Sequence, residues 1–191
     1  MGEIGLTRQD RTLTTLAGGG TLGARLLASS RQLVSLAVHG RAERFREVEL
    51  LGDAETARGR RLGAAVALED EWALGLPGEE DSVVLVPAIR ADVLDTRGEG
   101  AMSAPDGFGA PAPRRDRFLS PRLGARWRVT PALALKANVG RYFRPPTVIE
   151  LFGDRGFIAG NPELLPETGT SFDLGLVVAP SARGPFDRLY L

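Results

Sequence analysis

The chain has no cysteine and a single histidine, His39, among 191 residues. No disulfide framework or thiolate zinc site can form, and a histidine-based metal or triad site lacks members. Nor does any apolar run reach the roughly 18 residues that a membrane-crossing helix needs. Barrel strands survive that exclusion, because each needs only about 9–11 residues and half of those face the lumen. An excess of one charge is missing too: 24 Lys and Arg balance 24 Asp and Glu, which argues against nucleic-acid binding by counterion release. Lysine is represented by Lys136 alone. No Gly-x-Ser-x-Gly elbow occurs, and Gly18-Gly19-Gly20 is not followed by Lys-Ser or Lys-Thr, so a P-loop is rejected. The acidic runs Glu69-Asp70-Glu71 and Glu79-Glu80-Asp81 lack the alternating pattern of a calcium loop and read as solvated charge at strand ends. No enzyme, cofactor or metal site is implied. Met1 to Asp10 is polar and carries no signal-peptide core, which favours a piece of a longer protein.

What the chain has is alternation. Leu119, Pro121, Leu123, Ala125, Trp127 and Val129 share one parity, and Ser120, Arg122, Gly124, Arg126 and Arg128 the other. A period of two puts the apolar groups on one face of a strand. Arginines on the opposite face require water or carboxylates. After Thr130-Pro131 the pattern repeats, with Leu133, Leu135, Ala137, Val139 and Phe143 opposing Lys136, Asn138, Gly140, Tyr142 and Arg144; Arg141 interrupts the apolar row. Phe172, Leu174, Leu176 and Val178 oppose Ser171, Asp173 and Gly175. Upstream, Val83, Leu85, Ile89 and Val93 oppose Arg90 and Asp92. Leu62, Val66, Leu68, Trp72 and Leu74 oppose Glu69 and Glu71, leaving Asp70 on the apolar side. Val34, Leu36 and Val38 oppose Ser35, His39, Arg41 and Glu43. Thr12 to Ala28 reads as strand or helix, with the Gly triplet against a helix interior.

Connections alternate in length. Ser29-Ser30-Arg31, Pro77 to Ser82, Thr130-Pro131 and Pro180 to Pro185 are short. Arg46 to Arg60, Thr96 to Arg117 and Pro145 to Pro166 are long. Up-and-down membrane barrels alternate in this way, with their long loops outside. The expected fold class is all-β: antiparallel up-and-down hairpins, about eight strands of a larger transmembrane barrel. Trp72, Trp127 and Phe143 fall near strand ends, where aromatic girdles or isolated apolar positions are both open readings.

One segment carries a specific pattern: Tyr142-Phe143-Arg144-Pro145-Pro146-Thr147, then Glu150-Leu151-Phe152, Gly160-Asn161-Pro162-Glu163-Leu164 and Pro166-Glu167, closing with Ser171-Phe172-Asp173-Leu174-Gly175. Together with the Pro121-Arg122-Leu123-Gly124 strand it resembles the C-terminal barrel region of the TonB-dependent outer-membrane receptors. The resemblance implies a barrel of about 22 strands with a plug in its lumen. It also implies uptake of a scarce small-molecule ligand, a ferric siderophore or cobalamin for example, driven through TonB. Residues 1–191 would be part of that barrel, with plug, TonB-contacting region and remaining strands elsewhere; the partners are then outer-membrane lipid, the TonB complex and the ligand.

The residues admit a physical reading beside the resemblance. Pro145 and Pro146 remove ladder donors and end a strand, and Asn161-Pro162 favours a turn. Glu150, Glu163 and Glu167 can reach Arg141, Arg144 or Arg155, as a polar cluster shaping the loop or as groups touching ligand or plug. Arg122, Arg126, Arg128, Lys136, Asn138, Tyr142 and Arg144 are the candidate lumen-lining residues. Their charge either attracts an anionic chelate or is solvated or paired with the plug. A soluble or surface β-sheet module binding carbohydrate is the competing class. It requires the apolar faces to meet in a dry core.

Overall fold

In a computed structural model, residues 11–49, 54–76, 79–100, 113–147, 150–151, 161, 163–178 and 189–190 are described. They form one antiparallel sheet of strands β1 (Arg11–Ser29), β2 (Gln32–Glu49), β3 (Ala54–Leu76), β4 (Glu79–Gly100), β5 (Arg114–Thr130), β6 (Leu133–Arg144), β7 (Glu167–Val178) and the two-residue β8 (Leu189–Tyr190). Strand order equals sequence order, and β1 does not pair with β8. The sheet is therefore up-and-down and open, as part of a barrel would be. The stretch that reads as strand or helix at the N-terminus is strand. The turn expected between Pro180 and Pro185 lies outside the described residues.

The ladders hold one register over long distances, so the alternation of each strand adds to that of its neighbours. One cross-strand row runs Leu22–Val38–Val66–Ala91–Leu119, and another Leu74–Val83–Trp127–Leu135–Leu176. Between them lies a continuous apolar face. Leu123 is 45% exposed, Leu174 69% and Leu22 79%. Among the described residues no second protein layer covers this face, which is contrary to the dry core that a sandwich requires. The stretch from Leu62 to Leu74 climbs about 30 Å, taking about 3.3 Å per residue and a tilt near 40°. That is enough to span the apolar band of a membrane barrel, about 25 Å. Asp70, on the apolar side, accepts both bonds of the Gln32 amide at 3.1 and 3.0 Å.

Two long connections are shorter than their polarity suggests. Arg46 to Arg60 is mostly ladder, with pairs continuing through Arg46↔Arg58 to Glu49↔Ala54. Likewise β4 runs on to Gly100 and β5 begins at Arg114. With 23 and 22 residues, β3 and β4 are about twice as long as a bilayer crossing demands. Beyond the apolar rows both faces are polar. A strand standing in water on both sides then has the composition of a loop.

Small residues let neighbouring aromatics lie flat on the polar face. Phe45 is 2% exposed and its ring covers Gly59, where a Cβ would sit 1.9 Å from Cζ of Phe45 and 2.8 Å from the Arg97 carbonyl oxygen. The Tyr142 ring covers Gly169 in the same way, with Oη 2.5 Å from the Cβ position. Gly59→Ala should therefore destabilise the sheet by about 1–3 kcal/mol, whereas Gly20→Ala, with open space at its Cβ position, should not. Urea unfolding with detergent covering the apolar face measures the difference.

Candidate functional site

The polar face begins with arginines answered by carboxylates. Four pairs lie two residues apart on one strand: Arg41–Glu43 at 2.7 Å, and Arg90–Asp92, Arg97–Asp95 and Arg114–Asp116 at 2.8 Å. All but Arg97–Asp95 belong to the polar face. Alternation makes this spacing inevitable, since residues i and i+2 share a face. Arg122 instead reaches across β4 to Glu69, 3.2 Å away. Asn138 donates through Nδ2 to Asp173 Oδ1 at 2.8 Å. His39, through Nδ1, lies 2.8 Å from Thr21 Oγ1 on the same face. Arg126 and Lys136 occupy directly paired positions, and Arg128 faces Ala134. The candidate lumen residues Arg122, Arg126, Lys136, Asn138 and Tyr142 thus share one face.

The loop after β6 folds back over that face. Pairing of β6 with β7 ends at Arg144↔Glu167, where Pro145 and Pro146 remove the next donors. Arg144 then holds two carboxylates: Glu150 through both terminal nitrogens at 3.1 Å, and Glu167 through Nε at 2.6 Å. Of the acidic groups expected to meet Arg141, Arg144 or Arg155, it is Glu150 and Glu167 that do so, both at Arg144; Arg155 lies outside the described residues. Glu150 also accepts from the Thr147 amide at 2.6 Å, while Thr147 Oγ1 accepts from the Glu150 amide at 3.2 Å. This reciprocal pair is a capping box, and the Leu151 amide donates to the Thr147 carbonyl as the first turn closes. Leu151, 3% exposed, anchors the turn.

Asn161 shapes the return. Its amide donates to the Glu150 carbonyl at 2.9 Å, and its Oδ1 and carbonyl accept from Glu163 and Leu164. The expected turn is present, although Pro162 itself lies outside the described residues. Pro166 leads directly into β7.

Two arginines from distant strands complete the clamp. Arg61 on β3 donates to the Pro146 carbonyl at 2.7 Å and to Thr96 Oγ1 at 3.2 Å. Arg114 on β5 donates to the Leu164 carbonyl. Phe143 does not extend the apolar row as its parity suggests. Its ring stacks on Phe118 with centroids 3.9 Å apart, and Phe118 has the parity of Arg122. The β5–β6 ladder ends at Arg122↔Gly140, while β6 stays paired with β7 through Arg144, so the two rings meet where β5 and β6 part.

Sequence reading missed Arg61, Arg114 and the capping box. The last was visible as Thr147-x-x-Glu150. Neither arginine has a local signal, because its partner is far along the chain.

The Arg144 guanidinium, followed by the Thr147 amide, holds the Glu150 carboxyl down to about 2, from an ordinary 4.5. A depressed carboxylate stabilises its fold fully above the unfolded value and loses that contribution as pH falls through the folded one. The loop anchor should thus be complete above about pH 5 and weaken between there and pH 2. A carbon-detected NMR titration of the Glu150 carboxyl should give a midpoint near the lower figure. In Arg144→Gln the midpoint should return toward the ordinary glutamate range.

These features have relatives. The family model described as TonB dependent receptor-like, beta-barrel, matches residues 12–190. Comparison with curated protein sequences finds no match. Among solved structures, the copper transporter OprC superposes with a TM-score of 0.72 at 16% identity, covering 90% of this chain and 28% of OprC. The ferric citrate transporter FecA in its unliganded form gives 0.58 at 12% identity, covering 90% of this chain and 26% of FecA. At such identities the likeness concerns the fold, and the chain spans little more than a quarter of either structure. The match to the family model over nearly its whole length, with the open up-and-down sheet, makes this chain a member of the TonB-dependent receptor-like β-barrel family.

Proposed function

We propose that the sheet is a wall segment of an outer-membrane active transporter, with its apolar face toward lipid and its polar face toward an aqueous lumen. The whole receptor would import a scarce ligand, of ferric siderophore or cobalamin class, with energy from TonB. The observation that carries this is the sorting of the two faces. One is uncovered, apolar and as tall as a hydrocarbon core, while the other holds arginines matched to carboxylates. The names of the two solved relatives, a copper and a ferric citrate transporter, agree with the class and leave the ligand open. No catalytic role is assigned, and the protein is read as a transporter and not an enzyme.

In this reading Arg122, Arg126, Arg128, Lys136, Asn138 and Tyr142 line the lumen on β5 and β6. Arg144 has a different part. Its bonds to Glu150 and Glu167 make it a positioning residue for the loop. The pairs Glu69–Arg122 and Asp173–Asn138 leave Arg126 as the group best placed to meet an anionic ligand or plug.

Placement in lipid is directly testable. Trp72 and Trp127 lie on the apolar face near the short-turn end, 40% and 46% exposed. In bilayers, lipids brominated near the headgroup should quench their fluorescence more than lipids brominated near the chain end. Equal quenching by an aqueous quencher and by both lipids would refute the assignment. Leu123→Arg, near the middle of the band, should cost about 2–4 kcal/mol of folding stability in a bilayer.

A further inference from the structure

Between the two apolar rows described above, the outward face carries charge at Asp70 on β3 and Arg141 on β6, and at no other described position. Arg141 is near the end of β6 and long enough to reach water. Asp70 is not: its outward neighbours along β3 are Leu68 and Trp72, and its side chain is short. In the ladder Asp70 pairs with Val34, while Gln32 pairs with Trp72, two residues nearer the short turn. The carboxylate meets that glutamine, whose Nε2 donates to both of its oxygens at 3.1 and 3.0 Å. The donor is neutral. Among the described residues no Lys or Arg lies within salt-bridge distance of Asp70.

The ladder is interrupted at the same place. Pairing of β3 with β4 reaches Glu69↔Ala88 and resumes at Trp72↔Leu85. Pro87, opposite Asp70, has no amide to give. Acceptors therefore outnumber donors in this notch. It holds two carboxylate oxygens, the Gln32 side-chain carbonyl and a rung without its donor, answered by one side-chain amide. An open hollow of about 570 Å³ adjoins it at the β1–β2 turn, with Ser29, Gln32, Trp72 and Leu74 in its wall. Trp72, 40% exposed, adds an indole ring, whose face attracts cations.

We propose that this notch binds the primary ammonium group of an ethanolamine phospholipid in the leaflet on the short-turn side. The proposal rests on the membrane reading above and adds a headgroup preference to it. An ammonium group brings positive charge and three N–H donors, the complement of a carboxylate beside unmatched acceptors. A trimethylated headgroup has the same charge and no donor. Position fixes the source: the notch opens on the face read as lipid-facing, beside Trp72 and next to a short turn, where the headgroups of that leaflet lie. Asp70 alone is costly at the edge of hydrocarbon. With a cation beside it, the same carboxylate becomes a favourable part of the wall.

The test uses the whole receptor carrying this sheet, in phosphatidylcholine nanodiscs titrated with phosphatidylethanolamine. Native mass spectrometry counts the lipid retained. The ethanolamine lipid should be favoured about tenfold or more. Asp70→Asn should abolish the preference, whereas Glu71→Gln, the next residue and facing the other way, should leave it intact. Equal retention of the two lipids by the unmodified receptor overturns the proposal while the membrane reading stands. So does an undiminished preference in Asp70→Asn, or an equal loss in Glu71→Gln. Receptor pairs that Asp70→Asn separates would place a second copy on this face and overturn it too. Should Asp70→Asn not fold, the unmodified receptor decides with lipids bearing one, two or three N-methyl groups: retention should fall with each N–H replaced, and a flat series overturns the proposal. A receptor that fails to enter nanodiscs at all sinks the membrane reading and this inference with it.

Discussion

Everything in this sheet depends on a register that does not slip. A shift of one residue in any ladder would send that strand's leucines to the charged face and its arginines to the apolar one. The irregularities that occur sit at strand ends: near Ser29 on β1, Val48 on β2, Leu76 on β3 and Thr130 on β5. Across the middle the register is unbroken, even where the β3–β4 ladder skips Asp70 and Glu71 opposite Pro87 and Val86. The two-residue period of the sequence thereby becomes a property of a whole surface, with rows of one chemical kind crossing strand after strand. Height follows from the same register, since the apolar rows begin and end together on neighbouring strands.

Sorting of faces creates an electrostatic problem that the strands solve locally. Arginine on the polar face needs a partner or water. A carboxylate two positions along the same strand is on the same face by geometry alone, so it needs no help from the fold. Arg90–Asp92 and Arg114–Asp116 are of this kind. Arg122–Glu69 and Arg61–Pro146 are different, because they require β3, β4, β5 and the loop to be already assembled. Those long-range bonds turn a patterned ribbon into a shaped wall: Arg61 and Arg114 draw the loop across the face, while Arg144 and the Thr147–Glu150 capping box give it internal form. Pro145 and Pro146 act first by stopping β6, so that the loop can leave the ladder.

Legibility followed range. The leucine and valine rows, the short turns at Ser30 and Pro131, and the end of β6 at the prolines all depend on neighbours in sequence, and they could be read from it. So could the reach of Arg144 to Glu150 and Glu167. The extent of β2 and β3 could not, because strand outside a bilayer is polar on both faces and Arg46 to Arg60 has the composition of a loop. Phe143 keeps its place in the ladder opposite Thr168 while its ring stacks on Phe118, and nothing in either neighbourhood announces that pair. The same holds for Arg61, whose carbonyl partner lies more than 80 residues away in the chain.

The open edges set the final constraint. Among the described residues β1 pairs only with β2, so its other side presents a long row of backbone donors and acceptors. In water such an edge invites another strand. At hydrocarbon depth it is worse, because each unpaired group costs several kcal/mol with no water to replace the bond. Leu22, Ala24 and Leu26 place that edge inside the apolar band. A sheet with this face in lipid is therefore stable only if further strands continue the ladder from β1, and the same holds for β7 beyond its short pairing with β8. Barrel closure follows from hydrogen bonding at this depth.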